Sequence, residues 1–294
     1  MRSLLFVPAD SDRKMAKAMA SGADVVILDL EDSIAAGEAK ARARELARDF
    51  LASTLAVWKP GQPRLYVRMN DFSTSYWQGD VAALGKALPH GIMLPKARSG
   101  EDVQRLSVLL DHAEESAGGA TGSTRIVTLI TEVAVSLLQL NTYIGSSNRL
   151  EGFTWGAEDL SAELGSSANR DADGQFTSPY RLARDLTLIT AAAAEVPAID
   201  TVYIDFRNKA GLALEAAMAR RDGFIGKLAI HPDQVAIINE AFTPTKQEVD
   251  RAKAIVAAFE ASGGAGVVGF EGKMLDRPHL VLARRTLRLA GAAA

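Results

Sequence analysis

The sequence predicts an α/β chain: a closed (β/α)₈ (TIM) barrel with a C-terminal helical extension or lid. Three observations point there. Short apolar runs alternate about eight times with amphipathic stretches. The runs are near-continuous in Val, Ile and Leu, as strands buried on both faces require. An ionisable residue stands where almost every run ends, and in such barrels the chemistry sits at the carboxyl ends of the strands. An open doubly wound sheet fits less well, because no G-x-G-x-x-G turn follows the first run.

The expected strands are Leu4–Val7, Asp24–Leu28, Leu65–Arg68, Gly91–Leu94, Ile126–Ile130, Leu150–Trp155, Thr201–Ile204 and Lys227–Ile230. The expected helices are Asp12–Ser21, Glu38–Leu51, Gly79–Leu88, Gly100–Glu115, a helix starting at Val133–Leu140, Ser178–Ala194, Lys209–Arg221 and Asp233–Ala241. Ser166–Thr177 is long and polar and reads as a mobile loop over the barrel mouth. Residues 1–242 make the barrel and 243–294 the extension. The extension holds a helix at Lys246–Ser262, a glycine-rich run at 263–266, a basic helix at Pro278–Leu289 and an alanine-rich end at 292–294, expected to fray.

Composition narrows the function. Of 294 residues, 48% are hydrophobic and 23% charged, and the formal net charge is −3, which gives no footprint for nucleic acid or an anionic membrane. Cysteine is absent, so disulfides, thiolate metal sites and a cysteine nucleophile are excluded. The apolar start before Pro8 is too short for a signal peptide or a span, and the expected location is cytoplasmic.

In order, the strand ends offer Asp10 and Arg13; Asp29, Glu31 and Asp32; Arg68 and Asn70; Lys96; Glu132; Glu158 and Asp159; Asp205 and Arg207; and His231. Glu132 and Asp159 follow consecutive strands, so they can share one hard divalent cation, or they can be ordinary first-turn helix acids. A structural barrel needs no such ring of charges, and this favours the first reading. There is no G-x-S-x-G elbow for a serine hydrolase and no i, i+4 histidine pair for zinc. For Lys96, a charge-balancing ion pair is favoured over a Schiff base. An arginine beside a carboxylate-held Mg²⁺ suits an anionic substrate, with Arg68 holding its carboxylate in a bidentate fork.

These residues resemble those of the citrate lyase β-subunit-like family of CoA-ester lyases, kin to malyl-CoA and citramalyl-CoA lyases in the HpcH/HpaI aldolase superfamily. The resemblance rests on Leu5-Phe6-Val7-Pro8, Gly22 through Asp32, Val67-Arg68-Met69-Asn70, Leu94-Pro95-Lys96 and Trp155 through Leu160. It continues in Ile204-Asp205-Phe206-Arg207, Gly226 through Pro232, and Asp276-Arg277-Pro278-His279. It implies Mg²⁺, with Mn²⁺ as the alternative, at Glu132 and Asp159, Arg68 on the substrate carboxylate, and Asp29 in support. It implies Asp276 as acid/base on a lid over a neighbouring subunit's site, hence a homotrimer or homohexamer. The substrate would be a short carboxylated 3-hydroxyacyl-CoA, cleaved to a 2-keto acid and acetyl-CoA or a homologue. Arg13 and Lys17 either meet CoA phosphates or form a solvated helix face. Two departures, Ala9 after Pro8 and Val133 after Glu132, leave the acyl preference open. The alternatives are a thioesterase or CoA-independent aldolase on the same metal site, or a non-catalytic CoA-ester-binding paralogue.

Overall fold

A computed structural model describes residues 1–85, 87–263 and 266–291; the middle of the glycine-rich run and the alanine-rich end lie outside the described residues. The chain divides into two compact units, Met1–Asn239 and Glu240–Ala294.

In the first unit eight parallel strands alternate with helices: β1 (Ser3–Pro8), α1 (Asp12–Met19), β2 (Val25–Asp29), α2 (Glu38–Leu55), β3 (Arg64–Arg68), α3 (Trp77–Leu84), β4 (Gly91–Leu94) and α4 (Gly100–Ser116). Then come β5 (Arg125–Leu129), α5 (Ala134–Leu137), β6 (Leu150–Thr154), α6 (Ala157–Leu164), α7 (Ser178–Ala193), β7 (Ile199–Asp200), α8 (Lys209–Asp222), β8 (Gly226–Ala229) and α9 (Pro232–Phe242). The sheet runs β6-β5-β4-β3-β2-β1-β8-β7. Its two ends meet at a single parallel bridge, Phe153 to Ala198, so the barrel closes by a narrow seam.

The barrel is filled by Leu4, Val25, Ile27, Tyr66, Met93, Val127, Leu129, Ile199 and Leu228, all buried. Each such side chain contributes about 1.5–3 kcal/mol of burial. Tyr66 needs the space that a side chain at Gly91 would take: a Cβ there would lie 2.0 Å from its ring. Parallel register sets Asp29 directly beside Arg68, with Pro8 on the other side of Asp29.

Three expectations change. The seventh strand forms at Ile199–Asp200, before Thr201–Ile204, because Asp200 is buried with polar partners instead of ending the run. The fifth crossover has a four-residue helix and a 3₁₀ turn at Leu140–Tyr143 in place of one longer helix. Ser166–Thr177 carries structure of its own: Arg170 and Phe176 form an antiparallel bridge around a turn whose amides bond Asp171.

The second unit holds α10 (Lys246–Ala261), a hairpin of β9 (Val267–Phe270) and β10 (Lys273–Asp276), and α11 (Arg277–Leu289). Its own core is Ala252, Ile255, Val256, Phe259, Val268, Leu275, Ala283 and Leu287. No helix among the described residues is long and apolar enough to cross a membrane.

Candidate active site

The site grows from the β2–β3 register. At the strand ends Arg68 Nε and Nη2 donate to the two oxygens of Asp29, both at 2.7 Å. Asp29 also accepts from the amides of Glu31 (3.0 Å) and Ser33 (3.3 Å). Burial alone would push its carboxyl up, but the Arg68 guanidinium and these donors hold it below the ordinary range. The fork expected for a substrate therefore closes on Asp29. What remains for the ring of acids is Nη1, 2.9 Å from Glu31 and 3.5 Å from Asp32.

Glu31 is buried, and burial raises its carboxyl to about 7 against the pull of Arg68 and Lys96. Its backbone is fixed from below. The buried ammonium of Lys40 donates to the carbonyls of Leu30 (2.7 Å) and Glu31 (2.6 Å).

Lys96 follows β4 with φ of 48°, a left-handed conformation that costs a non-glycine residue roughly 1–3 kcal/mol. The conformation lets both ends of the residue address acids. Its amide donates to Glu132 Oε2 at 2.6 Å. Its ammonium bonds Glu31 and lies 3.1 Å from Asp32 and 3.2 Å from Asp159. Burial opposes its charge, but Glu31 and then Asp159 and Glu132 hold the amine protonated above its ordinary range. A protonated amine paired with three acids balances charge and is not a nucleophile.

Glu132 precedes α5 and is buried. Burial, then the charges of Asp159 and Glu31, raise its carboxyl well above the ordinary value. It lies against Gly156, where a Cβ would be 2.7 Å from Glu132 Cγ, so the glycine leaves the room the glutamate occupies. Asp159 stands half-buried in the first turn of α6, a helix the sequence reading did not anticipate. Its position is thus both that of a first-turn acid and that of a partner to Glu132.

Other strand-end residues are engaged elsewhere. Asn70 donates its amide and side chain to Asp80 (2.6 and 2.7 Å), which Arg44 pairs at 2.6 Å. Asp10 pairs with Lys14, and Glu158 accepts from Asn169. Asp205 and Arg207 share an exposed turn, and His231 stacks on Phe206. Arg13 and Lys17 are exposed on α1. Asp276 belongs to the second unit, where it caps α11 and bonds His279 at 2.6 Å. Lys40 and Gly156 support the site from positions that no spacing in the sequence signals.

The donor set suits a hard divalent cation. Glu132 is a desolvated carboxyl whose neighbours Asp159 and Glu31 oppose its ionisation, and a divalent cation would relieve that repulsion. The ammonium of Lys96 already bridges three of the surrounding acids. No cluster of three or more metal-binding side chains occurs among the described residues. A two-carboxylate site completed by water and substrate is how Mg²⁺ is commonly held.

The fold and this site define a (β/α)₈-type barrel that gathers its charged side chains at the carboxyl ends of the strands, where such barrels carry their chemistry. Residues 2–232 match the HpcH/HpaI aldolase/citrate lyase family, and the chain belongs to it. It is 34% identical to (3S)-malyl-CoA thioesterase of Cereibacter sphaeroides, over all of this chain and 95% of that protein. It is 31% identical to the mitochondrial citramalyl-CoA lyase of Rattus norvegicus, over 98% of this chain and 86% of that protein. Among solved structures it is similar to the protein CitE of Mycobacterium tuberculosis in complex with magnesium, acetoacetate and coenzyme A. That match has 33% identity and a TM-score of 0.77, over 99% of this chain and 98% of that one. The chain is thus an enzyme of the citrate lyase β-like oxo-acid lyases.

Proposed function

We propose that the protein is a Mg²⁺-dependent carbon–carbon lyase acting on a short carboxylated 3-hydroxyacyl-CoA of the malyl-CoA or citramalyl-CoA type. The products are a 2-keto acid and acetyl-CoA or a homologue, and the same site runs the condensation. The observation that carries this is the pairing of buried Glu132 with Asp159 beside an arginine locked in place by Asp29.

Glu132 and Asp159 would hold the ion. When bound, it supplies a Lewis acid for the hydroxyl or keto oxygen of the substrate. Arg68, fixed by Asp29, would offer Nη1 to the substrate carboxylate in exchange for Glu31, which lies 2.9 Å from it. Cleavage removes the hydroxyl proton and breaks the bond between the hydroxyl-bearing carbon and the carbon next to the thioester, so that the first becomes the carbonyl of the 2-keto acid and the second keeps the electron pair. Asp276 protonates that carbon, or deprotonates it in the condensing direction. Its assignment, with the lid over a neighbouring subunit and a homotrimeric or homohexameric assembly, rests on the family resemblance. Arg13 and Lys17, exposed early on α1, are the candidates for the CoA phosphates, with a solvated helix face as the alternative.

A second reading is supported by the thioesterase relative: water attacks the thioester at the same site and releases free CoA. The two separate in one assay. Purified protein with Mg²⁺ is given malyl-CoA and citramalyl-CoA, and keto acid and free thiol are both followed. Keto acid without early thiol is expected. Thiol without keto acid would replace the lyase with the thioesterase.

A further inference from the structure

We propose that six side chains, Trp155, Asp200, Lys227, Glu215, Arg170 and Phe176, form a closed circuit that positions Glu132 and Asp159. Arg170 is its latch. The inference rests on the metal reading above.

The circuit spans the narrow β6–β7 seam. Trp155, fully buried, donates its indole N–H to Asp200 Oδ1 at 2.8 Å. A buried carboxylate needs a charged partner, and Lys227 supplies it at 2.8 Å from Oδ2. The same ammonium meets Glu215 of α8 at 2.8 Å. The other oxygen of Glu215 takes Arg170 at 2.8 Å. The Arg170 guanidinium lies 3.7 Å over the Phe176 ring, and Phe176 meets Trp155 edge-on at 4.9 Å. The circuit returns to its start.

Its charges nearly cancel: Asp200 and Glu215 face Lys227 and Arg170, while Arg184 nearby lies 2.9 Å from Asp222 and 3.6 Å from Asp200. An adjoining cavity of about 320 Å³, lined partly by Arg170, Phe176, Arg184 and Glu215, therefore offers little net charge to a ligand. The circuit acts inward. Trp155 directly precedes Gly156, the glycine that leaves room for Glu132, and stands four residues before Asp159. A turn of the indole would drive Gly156 into Glu132 and shift Asp159 with it. Arg170 comes from the Ser166–Thr177 segment and is the partly exposed end, so the segment's packing is transmitted to the acids. Loss of a group bonded directly to a metal ligand typically costs about 10–100-fold in affinity; the circuit acts through the backbone from Trp155 to Asp159, so the low end of that range is expected.

Mg²⁺ is titrated calorimetrically into protein stripped with EDTA, without substrate, and melting is measured in EDTA. Arg170→Met is expected to weaken Mg²⁺ binding about tenfold with little change in melting temperature. Arg170→Lys, which keeps the charge on Glu215, should recover most of the affinity. Trp155→Phe, which keeps the edge contact and loses the N–H, should weaken binding likewise. Asp159→Ala should abolish it. Wild-type affinity in folded Arg170→Met and Trp155→Phe, with binding lost in Asp159→Ala, would overturn the positioning role alone. Unchanged binding in Asp159→Ala would overturn the metal reading and this inference together.

Discussion

Gly156 has little latitude. A methyl group there would sit 2.7 Å from Glu132 Cγ, and the glutamate would have to move. Misplacement of about an ångström can cost about 100-fold in rate. Gly156→Ala is therefore expected to lower keto-acid release by about that factor in a protein that melts like wild type; an unchanged kcat would show that Glu132 has slack. Arg68→Lys removes the two parallel bonds to Asp29, which a point-charge ammonium cannot reproduce. Loss of such a charged pair corresponds to about 10–100-fold. It should appear in KM for the carboxylated substrate, and a wild-type KM would contradict Arg68 as the carboxylate partner.

Asp29, Arg68, Lys96, Glu132 and Asp159 were legible because each is a charged residue at the end of an apolar run. That Asp29 uses the Arg68 fork was not, because register, not spacing, places the two side by side. Lys40 reaches the Glu31 backbone, and Asp80 reaches Asn70, across about ten residues from within helices, where their sequence neighbours suggest only a helix surface.

At the scale of elements, charge and capping make separable contributions. Glu114 of α4 is fully buried, and burial would push its carboxyl up. Arg149 and the amides of Thr124 and Gly122 instead hold it at about 2. A depressed carboxyl stabilises the fold above its ordinary titration and loses that contribution as pH falls from about 4.5 towards 2. The size is about 3 kcal/mol. Denaturant titrations across that window should show this acid loss in the wild type and a flatter limb in Glu114→Gln, which should also be less stable at pH 7. Equal acid limbs would remove Glu114 from the account. In the second unit Thr245 and Glu248 form a capping box on α10. Thr245→Ala should cost about 1 kcal/mol in the unfolding of that unit.

The strand order was legible because parallel buried strands read as plain apolar runs, while parts of the crossovers were not. The seventh strand lies earlier than Thr201–Ile204 and includes a charged residue, Asp200, whose carboxylate is satisfied by Trp155 and Lys227 from neighbouring strands, a partnership that no local pattern shows. The eight-residue α6 was missed because its residues read as the tail of a loop.

For the whole molecule, the proposed lid makes a prediction that no single-subunit variant can. Asp159→Ala and Asp276→Ala proteins should each be inactive alone. Unfolded, mixed and refolded together, they should regain part of the activity, because some sites then combine an intact Asp159 with a neighbour's Asp276. A mixture as silent as its parents would confine both residues to one chain. The central claim is that Glu132 and Asp159 hold the ion on which carbon–carbon cleavage depends. The most direct test is keto-acid release from malyl-CoA and citramalyl-CoA, measured against Mg²⁺ concentration for wild type and Asp159→Ala. Release that saturates with Mg²⁺ in the wild type, and is absent from the variant at every concentration, is the predicted result. Wild-type-like turnover by Asp159→Ala would contradict it.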